Sequence, residues 1–181
     1  MKILVTGLIA SGKTRFSQIL ARLSGLPLFS NDEIAKKIKT DVKVQRKLMR
    51  MFRIEDPHGI DDAIRSAISD TGIRRKLNAI LHPLIKREDK RILKEHEDCI
   101  IDSPIPRSLG ILGLFDLIVL VTAPEPVVAE RLKGKKFSAD AAAALLEAQK
   151  VEFAGLKADH TVLNDGATDL EKAASDIVFS Y

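Results

Sequence analysis

Short apolar runs punctuate the chain and alternate with longer stretches in which apolar positions recur every three or four residues. The runs cover residues 2–6, 26–29, 98–101, 117–122 and 161–163. They are apolar throughout rather than alternating, as in Leu-Ile-Val-Leu-Val-Thr at 117–122, which suits strands covered on both faces by helices. Five such runs with helical stretches between them predict an α/β fold with a largely parallel sheet. Residues 13–24 read as the first helix. A long helical region with no good strand fills 34–97, where Ile73, Leu77, Ile80, Leu81 and Leu84 mark one buried face. Pro83 is expected to interrupt that helix or to start a new one, because it lacks an N–H and restricts the residue before it. Residues 124–132 read as a further helix. Ser138 reads as the N-cap of an alanine-rich helix over 139–153, and a last helix over 170–179 follows the turn Asn164-Asp165-Gly166.

The first strand and first helix are joined by Gly7-x-x-x-x-Gly12-Lys13-Thr14, a complete P-loop pattern in the expected strand–loop–helix setting. Gly7 and Gly12 let the backbone bend where a side chain would obstruct it. The loop, through Ile9, Ala10 and Ser11, then aims successive N–H groups at a polyphosphate beside the positive end of the helix. Lys13 would reach the β- and γ-phosphates, and the Thr14 hydroxyl would hold Mg²⁺.

Composition narrows this picture. A chain of 181 residues, 45% hydrophobic, suggests one domain with a real core. The net charge of +4 fits a small polyanion as well as a nucleic acid, but without Trp and with one Tyr the chain lacks stacking platforms for single strands. Basic residues cluster around 36–53, 74–94 and 131–136, where solvated helix faces are the default. No apolar segment reaches the ~20 residues of a membrane span, and no signal peptide is expected. Cys99, alone, excludes an internal disulfide and fits a reducing cytosol; it reads as a small buried hydrophobe rather than a nucleophile.

A P-loop says where phosphate goes, not what receives it. Asp102, at the carboxyl end of the third run, reads as a Mg²⁺ ligand, or as a cap for the next turn. Asp32 follows the second run at a helix start. It reads as a proton acceptor for an attacking hydroxyl, as a metal ligand, or as a partner of the helix dipole. His82 reads as a structural histidine or as a substrate contact beside Lys76, Lys86 and Arg87. Arg131, Lys133, Lys135 and Lys136 flank Gly134, a hinge candidate; they form a cationic lid over the phosphates or a solvated basic loop.

Together these features resemble the dephospho-coenzyme A kinase family over nearly the whole chain. Residues 7–14 match its P-loop. Leu77-Asn78-Ala79-Ile80-Leu81-His82-Pro83-Leu84-Ile85 is similar to its most specific stretch, Asp102-Ser103-Pro104 to the end of its central strand, Gln149 to a Gln of its post-lid helix, and Asn164-Asp165-Gly166 to its turn near the adenine. The chain departs from the family at Ser30-Asn31-Asp32, where the family often has Asp-x-Asp. It departs after Pro104, where no Glu follows, and at Lys135, where a second lid arginine is usual. The resemblance implies a three-layer αβα sandwich of the P-loop NTPase kind. It also implies a core of 1–30, 98–124 and 154–181, a helical substrate-binding insert over about 31–97, and a short lid over about 125–153. ATP and Mg²⁺ are the implied cofactors, with phosphorylation of the ribose 3′-hydroxyl of dephospho-CoA, the last step of CoA biosynthesis. Lys13, Asp32 and Arg131 would act in catalysis, with Arg131, Lys135 and Asn164 on the nucleotide and Asp32, His82 and Arg107 on the acceptor, a small molecule rather than a nucleic acid or membrane. Two other readings stay open: another P-loop small-molecule kinase, or a kinase-derived nucleotide-binding protein with little activity.

Overall fold

The computed structural model describes residues 1–67, 69–133 and 139–181. Five strands form one sheet in the order β2-β3-β1-β4-β5: β1 (Lys2–Thr6), β2 (Leu28–Ser30), β3 (Cys99–Asp102), β4 (Leu117–Thr122) and β5 (His160–Leu163). All four pairings are parallel, in register Ser30↔Asp102, Val5↔Asp102 and Val5↔Val119. The carboxyl ends of the strands therefore meet along one edge, where ligands of such sheets bind.

Helices cover both faces. α1 (Lys13–Ser24) and α9 (Leu170–Val178) pack side by side on one, where Phe16, Leu20, Ala174 and Ile177 close over Ile3, Val5, Ile100 and Val119. On the other face, Ile92 and Leu93 of α5 (Thr71–Glu95) pack on Cys99 and Ile101. Cys99 is thus a buried core residue, and burial pushes its thiol pKa up.

A second core lies off the sheet, between β2 and β3 in sequence. α2 (Asn31–Lys39), α3 (Val42–Phe52), α4 (Ile60–Ala67) and α5 surround Val44, Leu48, Ile60, Leu77, Leu81 and Ile85. Leu109 of the short helix α6 (Pro106–Leu109) joins them. α7 (Glu125–Lys133) and α8 (Ala139–Phe153) flank residues 134–138, so the expected N-cap at Ser138 and the cations Lys135 and Lys136 lie outside the described residues.

Two local expectations are corrected. α5 runs through Pro83 without a break. Proline removes one bond of the helix ladder, at a cost of about 3 kcal/mol. Leu77 and Leu81 before that position and Ile85 after it bury into the same second core, and burying a side chain of this kind contributes about 1.5–3 kcal/mol each. Packing of both halves against one surface therefore outweighs the missing bond. The second strand begins two residues later than its apolar run. Gly25 ends α1 in a left-handed conformation and Pro27 carries no N–H, so regular pairing starts at Leu28 and extends to Ser30.

Candidate active site

The loop between β1 and α1 is strained backbone held by close contacts. A Cβ on Gly7 would sit 2.2 Å from the Val121 carbonyl oxygen, and one on Gly12 (φ +93°) would sit 1.9 Å from Asn164 Nδ2. No other residue fits at either position. Ala10 also adopts a left-handed conformation, φ +62°, which costs an L-residue about 1 kcal/mol. Such strain persists where surrounding structure over-determines it. Gly12 offers no side-chain cap to α1, and no acid occupies the first turn. The helix therefore presents open N–H groups and the positive end of its dipole to an anion.

Two oxygen groups meet beside that loop. Thr14 Oγ1 donates to Asp102 Oδ2 at 2.7 Å. Asp102 is almost fully buried, and its Oδ1 has no partner among the described residues. Burial pushes the Asp102 carboxyl pKa up, while the charge of the buried Lys13 and the Thr14 hydrogen bond pull it back. A carboxylate with a free lone-pair set beside a hydroxyl is a hard-oxygen pair that suits Mg²⁺.

Around this pair the site has two sides. On one, Arg131 of α7 reaches the loop: Nη1 donates to the carbonyls of Ala10 and Ser11, both at 3.2 Å. Its Nη2 donates to Asn164 Oδ1 at 3.1 Å and to the Asn164 carbonyl at 3.3 Å. Asn164 Nδ2 in turn donates to the Ser11 carbonyl at 2.8 Å. From α8, Gln149 Oε1 accepts from the Ile9 N–H at 2.7 Å, so one amide of the loop already faces an oxygen. A hollow of about 220 Å³ adjoins, lined by Arg15, Ile19, Arg131, Asn164, Gly166 and Thr168 among others.

On the other side, between α1, β2, α2 and α5, lies a cleft of about 480 Å³. Thr14, Ser30, Glu33, Lys37, Glu88 and Asp102 are among its lining residues. Asp32 is exposed in the first turn of α2, and its charge adds to the upward push on Asp102. The cleft shares Ile34, Lys37 and Glu88 with a groove of about 500 Å³ between α2, α3 and α5. That groove has an apolar floor of Ile34, Ile38, Val44 and Leu84, and its rim carries Lys37, Lys43, Lys47 and Arg87. Of its two acids, Asp41 caps α3 through the N–H groups of Lys43 and Val44, and Glu88 pairs with Arg91 while also feeling the charges of Lys37 and Arg87.

His82 and Arg107 form a separate cluster. Arg107 donates to the carbonyls of Glu152 at 3.0 Å and Ala154 at 2.8 Å, tying α6 to the end of α8. The Glu152 carboxylate accepts from the N–H and the hydroxyl of Ser108. His82 faces Glu152; burial pushes its pKa down, and the carboxylate acts in the opposite direction. The structure thus brings Lys13, Thr14 and Asp102 together, and joins Arg131 and Asn164 to the loop. It leaves Asp32 exposed, close enough for its charge to act on Asp102, and turns the Arg107 guanidinium to backbone carbonyls. Glu33 and Lys37, which the sequence reading passed over, line the cleft; their i, i+4 spacing from the start of α2 is the signal that would have found them.

The chain as a whole is similar to known proteins. The family model for dephospho-CoA kinase matches residues 1–169. A dephospho-CoA kinase of Porphyromonas gingivalis is 34% identical over 170 residues, covering 88% of this chain and 84% of that relative. One from Anaeromyxobacter dehalogenans is 31% identical over 185 residues, covering 95% and 87%. The solved dephospho-CoA kinase of Campylobacter jejuni shares the fold, with a TM-score of 0.62 at 21% identity over 99% of this chain and 96% of that one. A family match across most of the length, together with relatives above 30% identity, shows that the chain belongs to the dephospho-CoA kinase family.

Proposed function

We propose that this chain transfers the γ-phosphoryl group of ATP to the ribose 3′-hydroxyl of dephospho-CoA, giving CoA and ADP. The observation that carries the reading is the buried Asp102 carboxylate, bonded to Thr14 and open at Oδ1, at the mouth of the strained loop. The triphosphate would lie over residues 7–14 on backbone N–H groups and Lys13, with its base in the hollow beside Arg131 and Asn164. Mg²⁺, held by Thr14 and Asp102, would neutralise charge on the transferring group.

The acceptor would enter the opposite cleft. Its hydroxyl would stand near Ser30 and Asp32, and its diphosphate and amide-bearing arm would follow the groove, where Lys37, Lys43, Lys47 and Arg87 offer charge and the floor offers apolar surface. The hydroxyl oxygen forms a bond to the γ-phosphorus as the bond from that phosphorus to the ADP oxygen breaks. The hydroxyl proton leaves to Asp32 or to water. A loose transition state needs little help from a base, so the serine at position 30 is compatible with turnover. Lys13 and Arg131 would hold the equatorial and leaving oxygens. On this reading residues 31–97 bind the acceptor and 125–153 act as the lid. No described helix is long and apolar enough to cross a membrane; a cytoplasmic site of action follows from the family's substrates.

The test is an ADP-release assay with MgATP and a panel of acceptors. Dephospho-CoA is expected to be turned over, and nucleoside monophosphates and shikimate to give no signal above the ATP-only rate. Turnover of a nucleoside monophosphate without turnover of dephospho-CoA would overturn the assignment.

A further inference from the structure

Behind the acceptor cleft sits a carboxylate that the mechanism above does not use. Asp89 of α5 has no solvent exposure. Among the described residues its Oδ2 has one partner, Asn31 Nδ2 at 3.3 Å, and its Oδ1 has none. The second proton of Asn31 Nδ2 goes to Ser103 Oγ at 2.9 Å, and Ser103 Oγ also accepts from the Ile105 N–H at 3.4 Å. The Ser103 carbonyl accepts from Thr6 Oγ1 at 2.6 Å. Asn31 is the first residue of α2, between Ser30 and Asp32, and Ser103 directly follows Asp102. A buried polar strap thus runs from α5 through the start of α2 to the end of β3.

We propose that Asp89 is a positioning residue: it fixes the side-chain amide of Asn31 with its NH₂ toward Ser103, and so locks the segment carrying Ser30 and Asp32 to the segment carrying Asp102.

The chemistry of the three groups gives the reason. A serine hydroxyl donates or accepts, so Ser103 alone leaves the Asn31 amide free to present either end. An ionised carboxylate only accepts, so Asp89 selects one. Burial pushes the Asp89 pKa up to about 7, with the Asn31 hydrogen bond opposing, so at pH 8 Asp89 is the accept-only carboxylate. A buried carboxylate with one neutral partner is a poor way to stabilise a fold, since an apolar replacement of similar size is often neutral or stabilising. Four buried side-chain atoms lack a partner among the described residues: Ser11 Oγ, Asn31 Oδ1, Asp89 Oδ1 and Asp102 Oδ1. Two belong to the phosphate site and two to this strap, which is where unsatisfied groups kept for function rather than stability are expected.

The inference rests on the proposed reaction for its kinetic readout, and the experiment separates the two. Asp89→Asn and Asp89→Leu are compared with the wild type at pH 8 in dephospho-CoA turnover, thermal unfolding and ¹H–¹⁵N spectra of the Asn31 side-chain amide. Both variants are expected to lower kcat about tenfold, a loss typical of small misplacement of reacting groups, with KM for ATP within about twofold. Their Tm is expected to be unchanged or higher, and the protected Asn31 NH₂ pair to shift or broaden. Wild-type kcat in both variants, or a loss of kcat that tracks a fall in Tm, would overturn the role. If the wild type itself fails to phosphorylate dephospho-CoA, the functional reading falls, and an unperturbed Asn31 amide in Asp89→Leu would still overturn the strap.

Discussion

The two sides of the P-loop differ in how their polar groups are satisfied. On the side of Arg131, Asn164 and Gln149, side chains bond to one another and to the loop backbone, so the surface is built before any ligand arrives. On the side of Ser30, Glu33 and Lys37, polar side chains line open clefts, and the strap behind them contains oxygens with no partner among the described residues. A preformed surface suits the ligand every P-loop enzyme shares, a nucleoside triphosphate. A loosely satisfied one leaves room for an acceptor to complete it. The difference also locates where stability is given up: burial pushes two carboxyls up, Asp89 and Asp102, and both border the acceptor side.

The largest effect expected from this contrast is on folding. The Asp89 carboxyl is raised from 3.8 to about 7, so between those values the folded state binds a proton that the unfolded state has lost. Stability contributed by the protonated form is present at pH 4 and is lost as pH rises to 7, by up to about 4 kcal/mol. Denaturant unfolding at several pH values should show this slope in the wild type. Asp89→Asn should flatten it and be the more stable protein at pH 8; an equal slope in both would break the claim that the acceptor side carries the cost.

Next in size is Asp102→Asn. It keeps the volume and removes the charge that faces Lys13, and a fall in kcat of about a hundredfold with a higher Mg²⁺ requirement is expected. Titration of activity with Mg²⁺ checks both. A pair of smaller changes separates the two sides directly. Asn164→Ala should raise KM for ATP about tenfold and leave KM for dephospho-CoA little changed, while Lys37→Ala should do the reverse. Equal effects on both constants would erase the distinction. The smallest effect expected is a gain of about threefold in kcat for Ser30→Asp, since a base adds little to a loose transition state. A hundredfold gain would mean that the wild type lacks an effective proton acceptor.

The nucleotide side was legible in the sequence because its signals are contiguous. Residues 7–14 form one unbroken motif, and Asp102 and Asn164 each end an apolar run, where parallel topology collects side chains at one edge. The acceptor side was less so. Asp89 and Asn31 lie 58 positions apart and carry no motif; only packing of α5 against the start of α2 joins them. Arg107, which the resemblance sets on the acceptor, donates to the backbone at the end of α8, 45 and 47 residues away, a contact that no local motif encodes. Pro83 misled for a related reason: local propensity favoured a break, and burial of one face on both sides of it kept α5 whole.

The destination of the phosphoryl group separates transfer from hydrolysis. ³¹P NMR of a mixture of the protein, Mg²⁺, ATP and dephospho-CoA reads that destination without a coupling enzyme. The expected result is a new phosphomonoester resonance on the ribose 3′-oxygen that grows in step with ADP. Growth of ADP with inorganic phosphate alone, or an unchanged spectrum after prolonged incubation, would contradict it.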